Sequence, residues 1–171
     1  MMQIETLYQE LKLKDMTQEE KDLLLKDLCS KLPYGVKAYV KNWSKLDRKY
    51  YEGTYIVRSI HPSLSSVFVC SDKASVEVIL GYDDYDFKPY LFPLSSMTDE
   101  QKEEFLSVAQ YEAREEDCGR HTETYYYDMV GHERNFYPNS DAIDWLNAHH
   151  FDYRGLIEKE LAIDATGLNI Y

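Results

Sequence analysis

The hydrophobic pattern of the chain changes its period at Val36, and this change limits the fold more than any other feature of the sequence. Before it, apolar residues recur at the spacing of one helix face, whereas Val36, Ala38 and Val40 alternate with polar residues, as in a half-buried strand. The sequence predicts about five short antiparallel strands within residues 36–94, arranged as a small barrel or a strongly bent sheet. The later strands are expected at 54–60, 67–71, 75–80 and 90–94.

Helical patterns lie on both sides of this β-rich core. Residues 3–13 have the spacing of a short amphipathic helix, and a capping box of Thr17 and Glu20 opens a second one. These N-terminal helices occupy residues 1–35. Because helices flank the strands instead of alternating with them, we expect an α+β fold in a single domain over residues 1–171.

A further capping box, formed by Thr98 and Gln101, opens an acidic helix that we expect to run over 98–118. Its apolar residues recur at helical spacing, and glycine follows at its expected end. Residues 119–171 contain a tyrosine-rich segment with the pattern of a strand, then predicted C-terminal helices. The last residues are expected to be extended or frayed.

The negative charge of the chain is concentrated in its central third. The net charge is −12, and residues 81–128 contain 13 acidic and 4 basic side chains. Such a surface repels nucleic acids and membranes and attracts basic protein surfaces. We therefore expect a protein partner with a basic surface, such as a nucleic-acid-binding host protein. Membrane association is not expected, and direct nucleic-acid binding is disfavoured.

The 16 tyrosines of the chain indicate a binding surface, because several stand beside acidic residues. Tyrosine supplies a large contact area and a polar tip at low entropic cost, and it is enriched in interfaces. Carboxylates between aromatic rings also resemble the phosphates and bases of a nucleic acid. Alternatively, the tyrosines cover a small core and the acids form a solvated exterior. The candidate partner-binding residues are Tyr82, Asp83, Asp84, Tyr85, Asp86, Glu112, Glu115, Glu116, Tyr125, Tyr126 and Tyr127.

His149, His150 and Asp152 are the best candidates for a metal site. Neighbouring histidines on a helix point about 100° apart, so both bind one metal only if the helix breaks there. The alternative interpretation places His149 against Trp145 and leaves the other two residues to close the helix end. The three cysteines lack CxxC spacing, and no nucleotide-binding motif occurs, so we expect no cofactor.

The chain carries LPYGV at 32–36, KPYLFPLSSMTDEQKEEF at 88–105 and DWLNAHHFDYRGLIEKELAID at 144–164. In this order the three segments resemble an uncharacterised family of small proteins from phages and other mobile elements of gut bacteria. The chain departs from that family at Glu160, where related tails have glycine. The resemblance implies no catalytic residue, but it implies a mobile-element context, in which small acidic proteins often act by binding a host protein.

We therefore expect a non-enzymatic, acidic protein-binding module of phage or mobile-element origin, located in the cytoplasm of the host cell. Its tyrosine-rich surface would inhibit a host nucleic-acid-handling or defence protein by imitating a nucleic acid. One alternative is a metal-dependent hydrolase that uses His149, His150 and Asp152. A second alternative is a structural or accessory virion protein.

Overall fold

The computed structural model describes residues 16–44, 48–72, 74–81, 85–117, 121–129 and 131–171. The helix predicted over 3–13 lies outside the described residues. In chain order the described helices and strands are α1 (Gln18–Lys31), β1 (Lys37–Ser44), β2 (Lys49–His61), β3 (Ser66–Cys70), β4 (Ser75–Ile79), β5 (Tyr85–Pro93), α2 (Asp99–Ala109), β6 (Tyr111–Asp117), β7 (Thr122–Asp128), α3 (Ser140–Ala148), β8 (Phe151–Asp152) and β9 (Ile163–Asp164).

These elements belong to two compact units, one comprising Met1–Leu91 and Arg154–Tyr171, the other Phe92–Tyr153. Helices together with mostly antiparallel strands confirm the predicted α+β class. The single domain over 1–171 stays a prediction. No helix in the described part of the chain is long and apolar enough to cross a membrane.

In the first unit, β1 to β5 form an antiparallel sheet in the order β4-β3-β2-β1-β5. Tyr90 and Leu91 of β5 also pair in parallel with Ile163 and Asp164 of β9. The sheet is not closed into a barrel, so that alternative is wrong. Within residues 36–94 the structure has five antiparallel strands, β1 to β5, as predicted. Four further strands, β6 to β9, lie outside that range, so the strand count of the described fold is higher than the five predicted.

The alternation that predicted β1 decides which side of the sheet is buried. Ala38 and Val40 are fully buried in the core of the first unit, whereas Tyr39 between them lies on the opposite face. Helix α1 covers the buried face with Leu24 and Leu28, which belong to the same apolar cluster as β1. Burial of these side chains supplies the main favourable term for this unit.

In the second unit, α2 and α3 enclose a smaller apolar cluster. Met97, Trp145, Leu146 and Phe151 are buried there, and Phe151 pairs in parallel with Phe92 at the end of β5. The side chain of Asn139 caps α3 by accepting the Ala142 N–H at 2.8 Å. An asparagine carboxamide accepts an unpaired helix N–H as well as a serine hydroxyl does.

The helix predicted over 98–118 is wrong in its second half. Thr98 caps it as expected, because its hydroxyl accepts the Gln101 N–H at 3.2 Å and the Gln101 carboxamide accepts the Thr98 N–H at 3.0 Å. The helix then ends because Gln110 takes a left-handed conformation with φ 64°. Residues Tyr111–Asp117, predicted as helix, form β6 instead.

The predicted C-terminal helices are confirmed at α3 and wrong after it. Residues 153–162 form bends and turns, and Glu160 lies in the left-handed region with φ 60°. Glycine adopts such a φ without steric cost, whereas glutamate does not. The tail that follows is not frayed, because β9 pairs with β5 and the Tyr171 hydroxyl donates to the Tyr90 carbonyl at 2.9 Å.

Candidate functional site

Strands β6 and β7 of the second unit form a two-stranded antiparallel ribbon, which we call the acidic ribbon (Tyr111–Asp117 and Thr122–Asp128). Residues 111–128 contain six acidic residues and two arginines. In the register of the ribbon, Glu112 faces Tyr127 and Glu116 faces Glu123. The six predicted binding residues from the central and tyrosine-rich segments therefore lie on one element. Those residues are Glu112, Glu115, Glu116, Tyr125, Tyr126 and Tyr127.

One face of the acidic ribbon packs on the second unit through Phe136. The Phe136 ring lies 5.0 Å from the Tyr111 ring and 5.1 Å from the Tyr126 ring, measured between centroids. Phe105 of α2 continues the contact, 5.7 Å from Phe136 and 5.5 Å from Trp145. Tilted aromatic pairs at these distances attract one another. Tyr126 therefore anchors the ribbon, and successive residues of a strand alternate in direction, so Tyr125 and Tyr127 face the other way.

On that outer face, Arg114 is held between a carboxylate and an aromatic ring. Its guanidinium donates two hydrogen bonds to Glu112, at 3.1 and 3.4 Å, and its central carbon lies 4.6 Å from the centroid of the Tyr127 ring. The hydrogen bond lowers the pKa of Glu112 and raises the pKa of Arg114. Arg114 is the one cation within these two strands, so the two strands together carry a net negative charge.

Glu123 fixes the neighbouring side chains of β7. One of its carboxylate oxygens accepts the Tyr125 hydroxyl at 2.6 Å, and the other lies 2.6 Å from Nε2 of His121. Partial burial raises the pKa of Tyr127, and the charge of Glu116 adds to this effect. The tyrosine tips are therefore held beside carboxylates instead of turning freely in water.

The far edge of β7 is covered by the segment that follows the strand. The Arg134 N–H donates to the Tyr126 carbonyl at 2.8 Å, and the Asp128 N–H donates to the His132 carbonyl at 2.9 Å. The Arg134 side chain also donates to the Asp128 carboxylate at 3.1 Å. Residues 132–134 thus brace the ribbon along one edge.

The other predicted binding residues do not lie on the ribbon. Tyr82, Asp83 and Asp84 are outside the described residues. Tyr85 and Asp86 belong to β5 of the first unit, where Tyr85 packs against the apolar core and Asp86 pairs with Lys41 across the strands. The structure therefore does not place all eleven predicted residues on one element.

The metal candidates lie around the end of α3. The His149 ring stacks on Trp145 with centroids 3.9 Å apart, and its Nδ1 lies 2.9 Å from the Trp145 carbonyl oxygen. His150 and Asp152 are buried, and His150 takes a left-handed conformation that ends the helix. Among the residues that the structure describes, no group of three histidine, cysteine or acidic side chains is arranged to hold a metal ion.

Sequence reasoning missed Phe136 and the pairing of Arg114. Phe136 lies in a segment without hydrophobic periodicity, so nothing local marked it as a contact of the ribbon. The contact of Arg114 was missed because residues 111–117 were predicted as helix, and on that helix Arg114 would have no neighbouring strand that carries Tyr127. Both residues depend on partners that a tertiary fold supplies.

No protein-family model matches the chain, and neither a curated protein nor a solved structure matches it. The resemblance to the mobile-element family stays a prediction.

Proposed function

We propose that the protein is a non-enzymatic binding module that engages a basic surface of a protein partner through its acidic ribbon. The observation that carries the proposal is the β6–β7 register, which sets Glu112 and Glu116 on the same face of an exposed strand pair as Tyr125 and Tyr127. Glu115 lies opposite Thr124 and adds negative charge on the other face. Tyrosines supply contact area in interfaces, and carboxylates attract and orient a basic partner.

Rigidity of the ribbon supports this function. Phe136 anchors one face, and a hydrogen bond from the Tyr125 hydroxyl to Glu123 holds side chains of the other face in place. A surface that is ordered before binding loses less conformational entropy when it meets its partner. Exposed loops of the same composition would lose more.

We propose further that the partner is a host protein that handles nucleic acid or acts in defence. The support is chemical: carboxylates spaced along a narrow ribbon among aromatic rings offer negative charge and flat rings, as a nucleic acid does. The context of phages and mobile elements comes from the resemblance stated above. A short DNA duplex should then displace the protein from its partner.

A pair of matched variants tests the ribbon as the binding surface. Glu115→Lys with Glu116→Lys reverses two ribbon charges, whereas Glu103→Lys with Glu104→Lys reverses two exposed acids on α2 of the same unit. The two variants have the same net charge as each other. Each protein is immobilised and incubated with host lysate at low salt, and the retained proteins are quantified by mass spectrometry. The parent and the α2 variant should retain the same proteins. The ribbon variant should lose them, and equal recovery by all three proteins would contradict the proposal.

No observation in the described residues favours the two alternatives. The hydrolase alternative requires His149, His150 and Asp152 to converge on one ion, whereas His149 stacks on Trp145 and no metal-holding group is formed among the described side chains. The virion-protein alternative stays a prediction.

A further inference from the structure

The β1–β2 hairpin of the first unit extends past its neighbours in the sheet. Strand β1 pairs with β5 only as far as Asn42, and β2 pairs with β3 only from Ile56 onward. The pair formed by Trp43 and Tyr50 lies beyond both limits. Within the described strands, the end of this hairpin is therefore two-stranded, with neither edge paired.

This hairpin end, residues 43–44 and 48–50, carries aromatic rings, and Lys41 lies just before it on β1. The rings of Trp43 and Tyr50 lie 4.8 Å apart and are inclined at 59°, and Tyr50 is 58% exposed. The Lys41 ammonium lies 4.8 Å from the centroid of the Tyr50 ring. Arg48 is also exposed at the turn. Trp43 is partly buried, so Tyr50 is the ring that offers most of its face to solvent beside these cations.

The charge of this segment is opposite to that of the whole chain. Residues 41–52 contain four cations, Lys41, Lys45, Arg48 and Lys49, and two acids, Asp47 and Glu52, of which Glu52 lies opposite Lys41. At physiological ionic strength exposed charges are screened over about 8 Å. A ligand at the hairpin end therefore responds to these local cations more than to the net charge of −12.

We propose that the hairpin end binds single-stranded nucleic acid, with bases stacked on Trp43 and Tyr50 and phosphates neutralised by Lys41 and Arg48. The site lies in the first unit and is separate from the acidic ribbon. It departs from the expectation that the acidic composition disfavours nucleic acid, because four of the 19 basic residues fall within this short segment.

The aromatic rings favour a single strand over other polyanions. Unpaired bases offer flat faces that stack on aromatic side chains, and this stacking tolerates any sequence. In a duplex those faces are covered by neighbouring base pairs, and an acidic peptide offers carboxylates without flat rings. Cations interleaved with stacking platforms are the usual combination in proteins that bind single strands.

Fluorescence anisotropy with the full chain tests this site. The probe is a labelled oligo-dT of about 12 nucleotides, a length within the range that small β domains cover. Trp43→Ala and Tyr50→Ala should each weaken binding about ten-fold, as expected for the loss of a stacking partner. Arg48→Glu should weaken binding and flatten its salt dependence. Lys26→Glu, an equal charge change on the exposed side of α1, should leave binding unchanged.

Each outcome either supports or overturns the proposal. Tighter binding of the single strand than of a duplex of the same length or of a poly-glutamate peptide, together with the losses above, supports it. Absence of binding at about 50 mM salt overturns it. Equal binding of duplex or poly-glutamate overturns it as well, since the rings would then contribute nothing. The proposal also fails if Trp43→Ala binds like the parent, or if Arg48→Glu and Lys26→Glu behave alike.

Discussion

Asp27 and Lys31 of α1 show how charged residues are accommodated in the core of the first unit. Their charged groups lie 2.5 Å apart, and both side chains are fully buried. Arg154 lies 3.3 Å from the same carboxylate oxygen and donates to the Ser30 hydroxyl at 3.2 Å. One carboxylate thus joins α1 to the segment that follows Tyr153. A buried charge without a partner is strongly unfavourable, so these residues depend on one another.

The first prediction concerns Asp27. Asp27→Asn removes the negative charge beside Lys31, which is fully buried, and beside Arg154, whose side chain is 18% exposed. The free energy of unfolding should therefore fall by about 3–5 kcal/mol. Asp99→Asn is the matched control, because Asp99 forms an exposed ion pair with Lys102 at 3.0 Å. It should cost less than about 1 kcal/mol. Urea unfolding of both variants measures the two losses in the free energy of unfolding. Similar losses would show that burial does not determine how much an ion pair contributes to stability.

Tyr171 joins the last residues of the sequence to the sheet. Its hydroxyl accepts the Lys37 N–H at 3.0 Å and donates to the Tyr90 carbonyl at 2.9 Å. The hydroxyl thereby bridges β1 and β5 just past the pair formed by Ala38 and Pro89, where their direct pairing stops. Burial of this hydroxyl raises the pKa of Tyr171.

Tyr171→Phe should therefore lower the free energy of unfolding by about 1–3 kcal/mol, since two backbone groups lose their partner. Tyr137→Phe removes a hydroxyl from a ring that is 72% exposed, and its effect should lie within about 0.5 kcal/mol of zero. Thermal unfolding of the two variants measures the difference. Equal melting temperatures would mean that the bridge contributes nothing to stability.

Among the elements, α2 is the one whose end determines the function we propose. If α2 continued past Gln110, the helix would include Glu112, Glu115 and Glu116. These residues would then not pair with strand β7. Gln110→Gly distinguishes the two conformations. At a left-handed residue glycine should raise the free energy of unfolding by about 0.5–1 kcal/mol, whereas inside a helix it would lower stability by a similar amount. A melting temperature below that of the parent would contradict the observed end of α2.

Elements whose signals are local could be predicted from the sequence. Both capping boxes, at Thr17 and Thr98, formed as expected because all of their partners lie within four residues. The alternation of β1 likewise specified its buried face. Strand β7 was predicted from its tyrosines, although its partner strand was not.

Elements that depend on distant partners could not be predicted. The segment Tyr111–Asp117 is rich in glutamate, which favours helices, and no glycine marks the end of α2, so its pairing with β7 overrode local preference. Strand β9 has two residues and no detectable period; its pairing with Tyr90 and Leu91 defines it. Of the acidic ribbon, the three glutamates and three tyrosines were named from the sequence, whereas Arg114, Phe136 and the common element were not.

For the whole molecule, two kinds of charged surface are proposed to bind two different ligands. The acidic ribbon of the second unit and the basic hairpin end of the first unit carry opposite local charge. Loss of partner binding in ribbon variants and loss of oligonucleotide binding in hairpin variants should therefore occur separately. A variant of one surface that abolishes both activities would indicate a folding defect instead of a binding site.

Whether the acidic ribbon is the binding surface is tested most directly by the association rate constant with the recovered partner, measured at a series of salt concentrations. For the parent and for Glu103→Lys with Glu104→Lys, the rate should fall steeply between about 50 and 200 mM salt, because charge mainly accelerates encounter. For Glu115→Lys with Glu116→Lys, the rate at low salt should be at least about ten-fold lower and nearly independent of salt. If the ribbon variant associates like the parent at every salt concentration, the acidic ribbon is a solvated exterior and not the binding surface.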